Sequence, residues 1–536
     1  MEKKTFCAMI DCSRNGVMKV SQVKRFMDYI QPMGYNAIML YTEDTFEVEN
    51  EPFFGYLRGA YTQDEIRSIV EYGETKGMEV IPCIQTLGHL PALHQWREYD
   101  KIWDIDDILL IDEPRVYELI RNMFATLRKC YKTNRLHIGM DEADHVGLGK
   151  FLQRHGYQKR MEILLRHMNK VVEIAEEFGF KPMIWSDMFF RLKNNGEYHV
   201  PDTEIDDELK AMVPENLTLV YWSYNLRNQP HYEGMLDAHK KFERELWFAG
   251  GVWNWVGFAP GTSHIELTMV HAMAACREKE VENVILTMWG DGGAECSAFA
   301  CLDALLKCRM IYDNEDLSLL PERFEKIVGM PLADYQKLQL PNLVAGNDNA
   351  VFNPSRYALY NDAFAGYLDP NLLDGGTEDY GKHVKALAQV DKTHYLGPMF
   401  ESMEQLCRVM GIKYDLGKRL RKAYQAGDKQ ELTNLLDDMD ELVSRIEDFH
   451  TAFFDLWHWV YKPYGFELQD VRLGGLQRRI RTCRKRLAAY LNGEVDAIEE
   501  LEVTLLKAFP NGETPSIQDI WCNSWNGSVS VNIVGA

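Results

Sequence analysis

Eight short, uniformly apolar runs, most of them followed by a stretch of helical period, fill the first three hundred residues and leave few folds open. The runs are Cys7–Ile10, Ala37–Tyr41, Val80–Ile84, Leu136–Met140, Met183–Trp185, Leu217–Trp222, Leu246–Ala249 and Val284–Met288. A strand covered by helices on its outer face and by core on its inner face has no polar side, so it reads as a continuous apolar run rather than an alternation. Between the runs, Ser21 is placed to cap a helix whose apolar positions include Val23, Phe26, Met27 and Ile30. Asp64–Tyr72, Val116–Cys130, Met161–Phe178 and Ile265–Arg277 repeat the pattern. Eight strand–helix units are what a closed (β/α)8 TIM barrel takes. A doubly wound open sheet would announce a glycine-rich phosphate loop after an early strand, and none is present.

Strand signals fade beyond residue 311. Leu432, Leu435, Leu436, Met439, Leu442, Val443, Ile446, Phe449 and Phe453 mark one helical stripe, and the basic run Arg478-Arg479-Ile480-Arg481 reads as the solvated face of another helix. The aromatic-rich segment from Asn353 to Asp369 is expected to pack on the barrel or border its pocket. The chain thus reads as an α/β protein, a (β/α)8 TIM barrel over residues 1–312 followed by a mainly α-helical C-terminal domain over 313–536.

A formal net charge of −22 disfavours phosphate backbones and anionic lipid, so the partner expected is neither nucleic acid nor membrane but a neutral molecule. No stretch approaches the roughly 20 apolar residues of a membrane span. The lysines at the start of the chain, then Asp11 and Arg14, break any secretory apolar core. Eleven cysteines without tight ligand spacing read as reduced thiols, so the cytoplasm is the expected compartment.

Polar and aromatic residues gather where the strands end, and in a barrel these ends share one rim, where the active site is built. The clusters are Asp11-Cys12-Ser13-Arg14, Thr42-Glu43-Asp44, Gln85-Thr86-Leu87-Gly88-His89, Asp141-Glu142, Trp185-Ser186-Asp187, Tyr221-Trp222-Ser223-Tyr224, Trp253-Asn254-Trp255 and Trp289-Gly290-Asp291. Asp141 and Glu142 are the sharpest of them. Two neighbouring carboxyls repel, and the less solvated one keeps its proton to higher pH, which is the pairing that glycoside cleavage needs. Indole rings suit the apolar C–H faces of a neutral sugar, although rings in a barrel mouth also serve as core.

These elements, in this order over about residues 5–310, resemble glycoside hydrolase family 20, the β-N-acetylhexosaminidases, in the lineage without an N-terminal α+β domain. The carriers are Ala8-Met9-Ile10-Asp11-Cys12-Ser13-Arg14, Gln85-Thr86-Leu87-Gly88-His89, His137-Ile138-Gly139-Met140-Asp141-Glu142 and Met288-Trp289-Gly290-Asp291. The resemblance implies an exo-acting, retaining enzyme that removes terminal β-linked N-acetylglucosamine or N-acetylgalactosamine with no cofactor and no metal. Glu142 then matches the general acid/base. Asp141 matches the residue orienting the 2-acetamido group, whose oxygen attacks C1 to give an oxazolinium-like intermediate. Tyr224 is the candidate donor to the acetamido oxygen, and His89 the histidine beside the acid pair. Trp289 floors the sugar subsite, with Trp185, Trp222 and Trp253 as walls. The chain departs from the family at Phe6, where many members carry an arginine gripping the distal hydroxyls. That task then falls to Asp11, Asp44 or Asp291.

Other readings make different demands. A metal-dependent barrel hydrolase would want a pair such as His-x-His on the first strand, which is absent. A catalytically silent sugar-binding barrel would need no proton donor, and another substrate-assisted glycosidase family would show adjacent aspartates. His137, His145, Glu295 and Cys296 read as structural. The expected partner is an N-acetylhexosamine-terminated glycan, and a homodimer is the commonest state for such a chain.

Overall fold

The computed structural model describes residues 4–347, 353–507 and 525–532. Residues 1–3 of the N-terminal stretch just read lie outside them. Ten strands form among the described residues: β1 Thr5–Asp11, β2 Ala37–Tyr41, β3 Glu79–Cys83, β4 Trp103–Ile105, β5 Ile108–Leu109, β6 Arg135–His137, β7 Lys181–Trp185, β8 Thr218–Trp222, β9 Leu246–Gly251 and β10 Asn283–Met288. Eight close into a parallel barrel in the order β1-β2-β3-β6-β7-β8-β9-β10, and β4 and β5 form a two-stranded antiparallel hairpin in the β3 loop. Each apolar run read from the sequence is thus a barrel strand.

Successive side chains on a strand point to opposite faces, so one residue in two enters the barrel. The inward set includes Cys7, Met9, Met39, Tyr41, Ile81, Cys83, Met183, Trp185, Val220, Trp247 and Ile285, with Trp222 and Trp289 packed against it. The outward set meets the helices. Phe6 is in that outward set, 1 % exposed, between Tyr35 and Tyr312, with the Arg309 guanidinium 4.7 Å from its ring centre.

Three local expectations are corrected. The first helix runs Val20–Ile30 with Lys19 at its N-cap and no side-chain cap, because the Gln22 and Val23 N–H groups both reach the Lys19 carbonyl; Ser21 is already inside the helix. The segment expected as one helix over Ile265–Arg277 is a 3-10 turn, Thr262–Leu267, followed by a helix, Met269–Glu278. Ladder pairing in β6 stops at His137 rather than Met140, because Gly139 and Met140 both turn left-handed (φ 74°). The chain continues along the sheet only by single bonds, Ile138 N–H to Met183 O (2.8 Å) and Trp185 N–H to Gly139 O (3.2 Å).

The chain separates into two compact units, one of residues 1–252, 265–289 and 304–320, the other of 253–264, 290–303 and 321–536. The first contains the barrel strands. The second is helical, with long helices at Gly397–Lys413, Lys429–Val460 and Phe466–Leu491. Of the predicted stripe, Leu432, Leu435, Met439, Leu442, Ile446, Phe449 and Phe453 are buried, and Leu436 and Val443 half-buried. The basic run is not wholly a solvated face: Arg478 and Arg481 are exposed, but Arg479 binds Asp362 through Nε at 2.5 Å. Glu295 is more than a packing residue. Its carboxylate, 1 % exposed, meets Arg356 Nε at 3.1 Å and Arg472 Nη1 at 2.9 Å, which neutralises a charge that burial would otherwise make costly.

Trp247 fills the barrel interior with no exposure and donates its indole N–H to Glu245 at 2.9 Å. Trp247→Ala should therefore cost about 3–5 kcal/mol, read as a lowered midpoint of thermal unfolding.

Candidate active site

The rim of the barrel is assembled by continuing the inward parity of the strands to the last residue of β1 and, in four other strands, two residues past the end. Met9 leads to Asp11, Tyr41 to Glu43, Cys83 to Gln85, Trp185 to Asp187, and Trp222 to Tyr224. The fourth barrel strand adds Asp141 through a distorted turn in which Gly139, Met140 and Glu142 all have positive φ. A side chain at Gly139 would run into the Gln85 amide, so glycine is needed there both for its backbone and for its lack of a Cβ.

Asp141 is buried in this cluster. Its Oδ1 accepts from Gln85 Nε2 at 2.7 Å, and its Oδ2 lies 3.3 Å from His89 Nε2, an ion-pair contact. Gln85 also donates to the Tyr41 hydroxyl at 3.0 Å and accepts from the Met140 N–H at 3.1 Å, so its amide orientation is fixed on both sides. Burial acts to raise the Asp141 carboxyl, but the charge of His89 and the amide of Gln85 outweigh it and hold the group below the usual carboxylate range. Burial likewise acts to lower the His89 imidazole, and Asp141 and Glu43 overcome it, raising it to about 10. A cationic histidine thus sits beside an ionised aspartate.

Glu142 is the more open of the pair, with its side chain 47 % exposed. Burial and the neighbouring Asp141 charge raise its carboxyl above the ordinary value. The carboxyl that is raised is thus the more solvated of the two, the reverse of the expectation from solvation alone, because His89 and Gln85 hold the buried Asp141 ionised. Its backbone N–H is donated to Asp187 Oδ2 at 3.0 Å, and Asp187 also accepts from Arg191 Nε at 3.1 Å. Asp187 is fully buried, and desolvation with the Asp141 charge pushes its carboxyl up. Arg191 reaches Glu142 Oε1 at 3.5 Å and lies 5.9 Å from the Trp222 ring centre, so it meets both the acid and an aromatic wall.

The aromatic residues divide. Trp185 is 1 % exposed and belongs to the barrel core, against His137 (4.1 Å) and Trp289 (6.3 Å). Trp222, Tyr224 and Trp289 are half-buried at the mouth. Tyr224 stacks on Trp222 at 5.3 Å and accepts the Trp289 indole N–H at 2.9 Å, while Trp289 stands edge-on to Tyr41 at 4.8 Å. On the opposite wall the Tyr41 hydroxyl donates to Glu43 Oε1 at 2.8 Å. Glu43 also holds Arg14, and burial raises its carboxyl to about 7 against the pull of that arginine. Asp11 accepts from the Ser13 N–H (2.8 Å) and hydroxyl (2.7 Å).

The barrel unit therefore brings together Asp11, His89, Asp141, Glu142, Trp185, Trp222, Tyr224 and Trp289. Asp44 turns the other way, onto Arg58 at 3.2 Å. Trp253 and Asp291 fall in the second unit. There Trp253 is 3 % exposed and stacks on Trp255 at 4.8 Å with His264 edge-on at 4.6 Å, and Asp291 is half-buried in the turn closed by the Ala294 N–H on Gly290 O. Phe6 cannot mark a sugar-contacting position. It stands five residues before Asp11, about 16 Å back along the strand, and faces the helices. His137 is buried and neutral, pushed down to about 3 by desolvation, and its Nδ1 accepts from the Gly139 N–H at 3.2 Å. His145 is exposed and paired with Asp106. Glu43, Gln85, Asp187 and Arg191 were not singled out as site residues, although strand parity marks the first three and an i,i+4 step from Asp187 marks Arg191. Among the described residues no group of three or more His, Cys, Asp or Glu could hold a metal ion.

Two family models match this chain: "Glycosyl hydrolase family 20, catalytic domain" over residues 7–232 and "Glycoside Hydrolase 20C C-terminal domain" over 333–518. The chain belongs to glycoside hydrolase family 20. It is 23 % identical over 291 residues to Hexosaminidase D of Homo sapiens, covering 51 % of this chain and 57 % of that one. Its identity to Hexosaminidase D of Bos taurus is 25 % over 260 residues, 45 % of this chain and 67 % of the other. A Beta-hexosaminidase of Vibrio furnissii matches at 23 % over 298 residues, 47 % and 46 % of the two chains. The chain spans little more than half the length of the human relative. In the family 20 barrel described here, the catalytic-domain match ends within the helix after β8, so Trp289 lies beyond it.

The His89–Asp141 pair has a measurable signature. The raised His89 contributes stability in full below its unfolded value, about pH 6.5, and loses it as pH rises through about 10. The stability advantage of the wild type over His89→Gln should therefore shrink between about pH 7 and pH 10 in urea unfolding. An advantage that stays constant over that range would exclude the ion pair as its source. Removing Arg191, which favours the ionised form of Glu142, should raise the Glu142 carboxyl further; a carboxyl-carbon NMR titration of Arg191→Met checks this.

Proposed function

We propose that the chain is a retaining, exo-acting β-N-acetylhexosaminidase that releases terminal β-linked N-acetylglucosamine or N-acetylgalactosamine by substrate-assisted catalysis. The observation that carries the reading is the division of labour between adjacent carboxyls, one buried and held ionised by His89 and Gln85, the other open and raised. The names of the curated relatives, Hexosaminidase D and Beta-hexosaminidase, support the same activity.

Glu142 protonates the glycosidic oxygen and then, ionised, takes a proton from water. Asp141 orients the acetamido N–H and stabilises the positive charge that spreads onto it as the acetamido oxygen attacks C1. Tyr224, fixed by the Trp289 indole, donates its hydroxyl proton to that oxygen. Trp222 and Trp289 present ring faces to the sugar, and Trp185 supports them from beneath. With Phe6 at the far end of the strand and Asp44 engaged by Arg58, the distal hydroxyls fall to Arg14, Glu43 and Asp11. The substrate is a glycan or glycoconjugate ending in such a sugar, and no residue of the proposed cycle calls for a metal or cofactor. Among the described residues no helix is long and apolar enough to cross a membrane. The ten cysteines among the described residues are free and buried, which supports work in the cytoplasm.

The first test is hydrolysis of p-nitrophenyl N-acetyl-β-glucosaminide beside the plain β-glucoside, with chelator present. Release from the acetamido sugar alone is expected, and equal release from both would mean that an enzyme carboxylate is the nucleophile. Glu142→Gln should lower turnover by about 10²–10⁴ on a sugar leaving group and much less on nitrophenol, which departs with little protonation. Asp141→Ala should depress both substrates alike.

A further inference from the structure

Three aromatic side chains outside the catalytic cluster stand together on the barrel rim. Phe53 and Tyr56 lie in the loop between β2 and the helix Gln63–Thr75, and they are 37 % and 48 % exposed. Half-buried Trp96 lies in the loop that leaves β3 through His89. Phe53 stacks on Trp96 with ring centres 5.4 Å apart and an interplanar angle of 26°, and Tyr56 meets the same indole edge-on at 5.3 Å.

What lies beneath them is costly to build. Glu51, two residues before Phe53, is 2 % exposed. Its carboxylate accepts both Arg115 guanidinium nitrogens (2.7 and 2.5 Å), the Asn122 amide (2.9 Å) and the hydroxyl of Tyr99 (3.3 Å), which stands three residues after Trp96. One buried, fully bonded carboxylate therefore anchors both loops, and breaking such a group out of its partners is expensive. The β2 loop is also closed at its neck by the Phe46–Tyr61 bridge and tied to the catalytic rim by Arg58, which binds Asp44, the Asn15 side chain (3.0 Å) and the Ser13 carbonyl. The two loops are thus pinned beneath partly exposed rings, and they are the same two loops that carry Glu43 and His89 into the site.

We propose that Phe53, Tyr56 and Trp96 form a binding platform for the leaving-group side of the substrate, stacking a pyranose ring that lies beyond the cleaved bond. The inference rests on the glycosidase reading above. Ring faces bordered by a phenol hydroxyl and an indole N–H suit a neutral ring with apolar faces and polar edges. Three partly exposed rings, each of roughly 150–250 Å² at most, fall short of the roughly 800 Å² per partner that a stable protein interface takes, which favours a sugar over a second copy of the chain. Pre-organisation means that little side-chain freedom is lost on binding.

The test compares the wild type with a Phe53→Ala/Tyr56→Ala double variant on two probes: the β-1,4-linked tetramer of N-acetylglucosamine, and N-acetyl-β-glucosaminyl fluoride, whose leaving group has no ring. The expected result is a KM for the tetramer raised roughly five- to tenfold, with KM and kcat for the fluoride unchanged; the fluoride thereby reports that the variant is folded. A tetramer KM within twofold of wild type, with fluoride turnover intact, overturns the platform and leaves the glycosidase reading standing. If the variant instead changes from dimer to monomer in sedimentation with both KM values unchanged, the rings serve self-association and the proposal falls. Wild-type protein that turns over neither probe would remove the glycosidase reading and the platform with it.

Discussion

An ionised carboxylate inside a barrel mouth has to be balanced, and the arrangement around Asp141 follows from that need. Desolvation favours the neutral acid, so the charge persists only because a cationic imidazole and a fixed amide face it. His89 is kept cationic by Asp141 and Glu43 in return. Gln85 can be fixed only because Gly139 leaves room for it, and Gly139 in turn interrupts β6. The turn that ends the strand is the same turn that carries Glu142 to the open side of the site. Position and protonation of the two acids are therefore set by one set of contacts.

Asp187 and Arg191 extend the same balance outward. The Asp187 carboxylate receives the Glu142 backbone N–H and fixes the guanidinium that borders the Glu142 side chain. The acid is thus held at its backbone by one group and biased at its carboxyl by another. In the proposed cycle that suits a residue giving up a proton in one step and accepting one in the next.

Much of this was legible in the sequence. The eight apolar runs became the eight barrel strands, because a strand buried on both faces has few other compositions open to it. That Asp141 and Glu142 lie at the mouth of the barrel was legible from their place after such a run. The period of two then singles out Glu43 over Asp44 and adds Gln85 and Asp187, since each continues the inward face of Tyr41, Cys83 and Trp185. What was not legible depends on distant pairing. The early end of β6 comes from backbone angles that an apolar run does not reveal. The role of Glu295 depends on arginines 61 and 177 positions away, and no local pattern records them. Arg479 similarly looked like one charge among several until Asp362 was seen opposite it.

The interleaving of the two units bears on how the chain is made. It passes from one unit to the other five times, after residues 252, 264, 289, 303 and 320, so neither unit is a continuous piece that a nuclease-style deletion could isolate. The segment 290–303 emerges from the ribosome well before the helices that neutralise it. Glu295 precedes Arg472 by 177 residues, a wait of about 10–35 s at usual synthesis rates. Over that interval the Glu295 carboxylate lacks Arg472, and for the first 61 residues of it Arg356 as well. The nascent chain therefore carries an incompletely satisfied segment after all its barrel strands have been made, and the final helices act as a late-arriving clasp whose loss by premature termination would be felt in the other two pieces of their own unit as well.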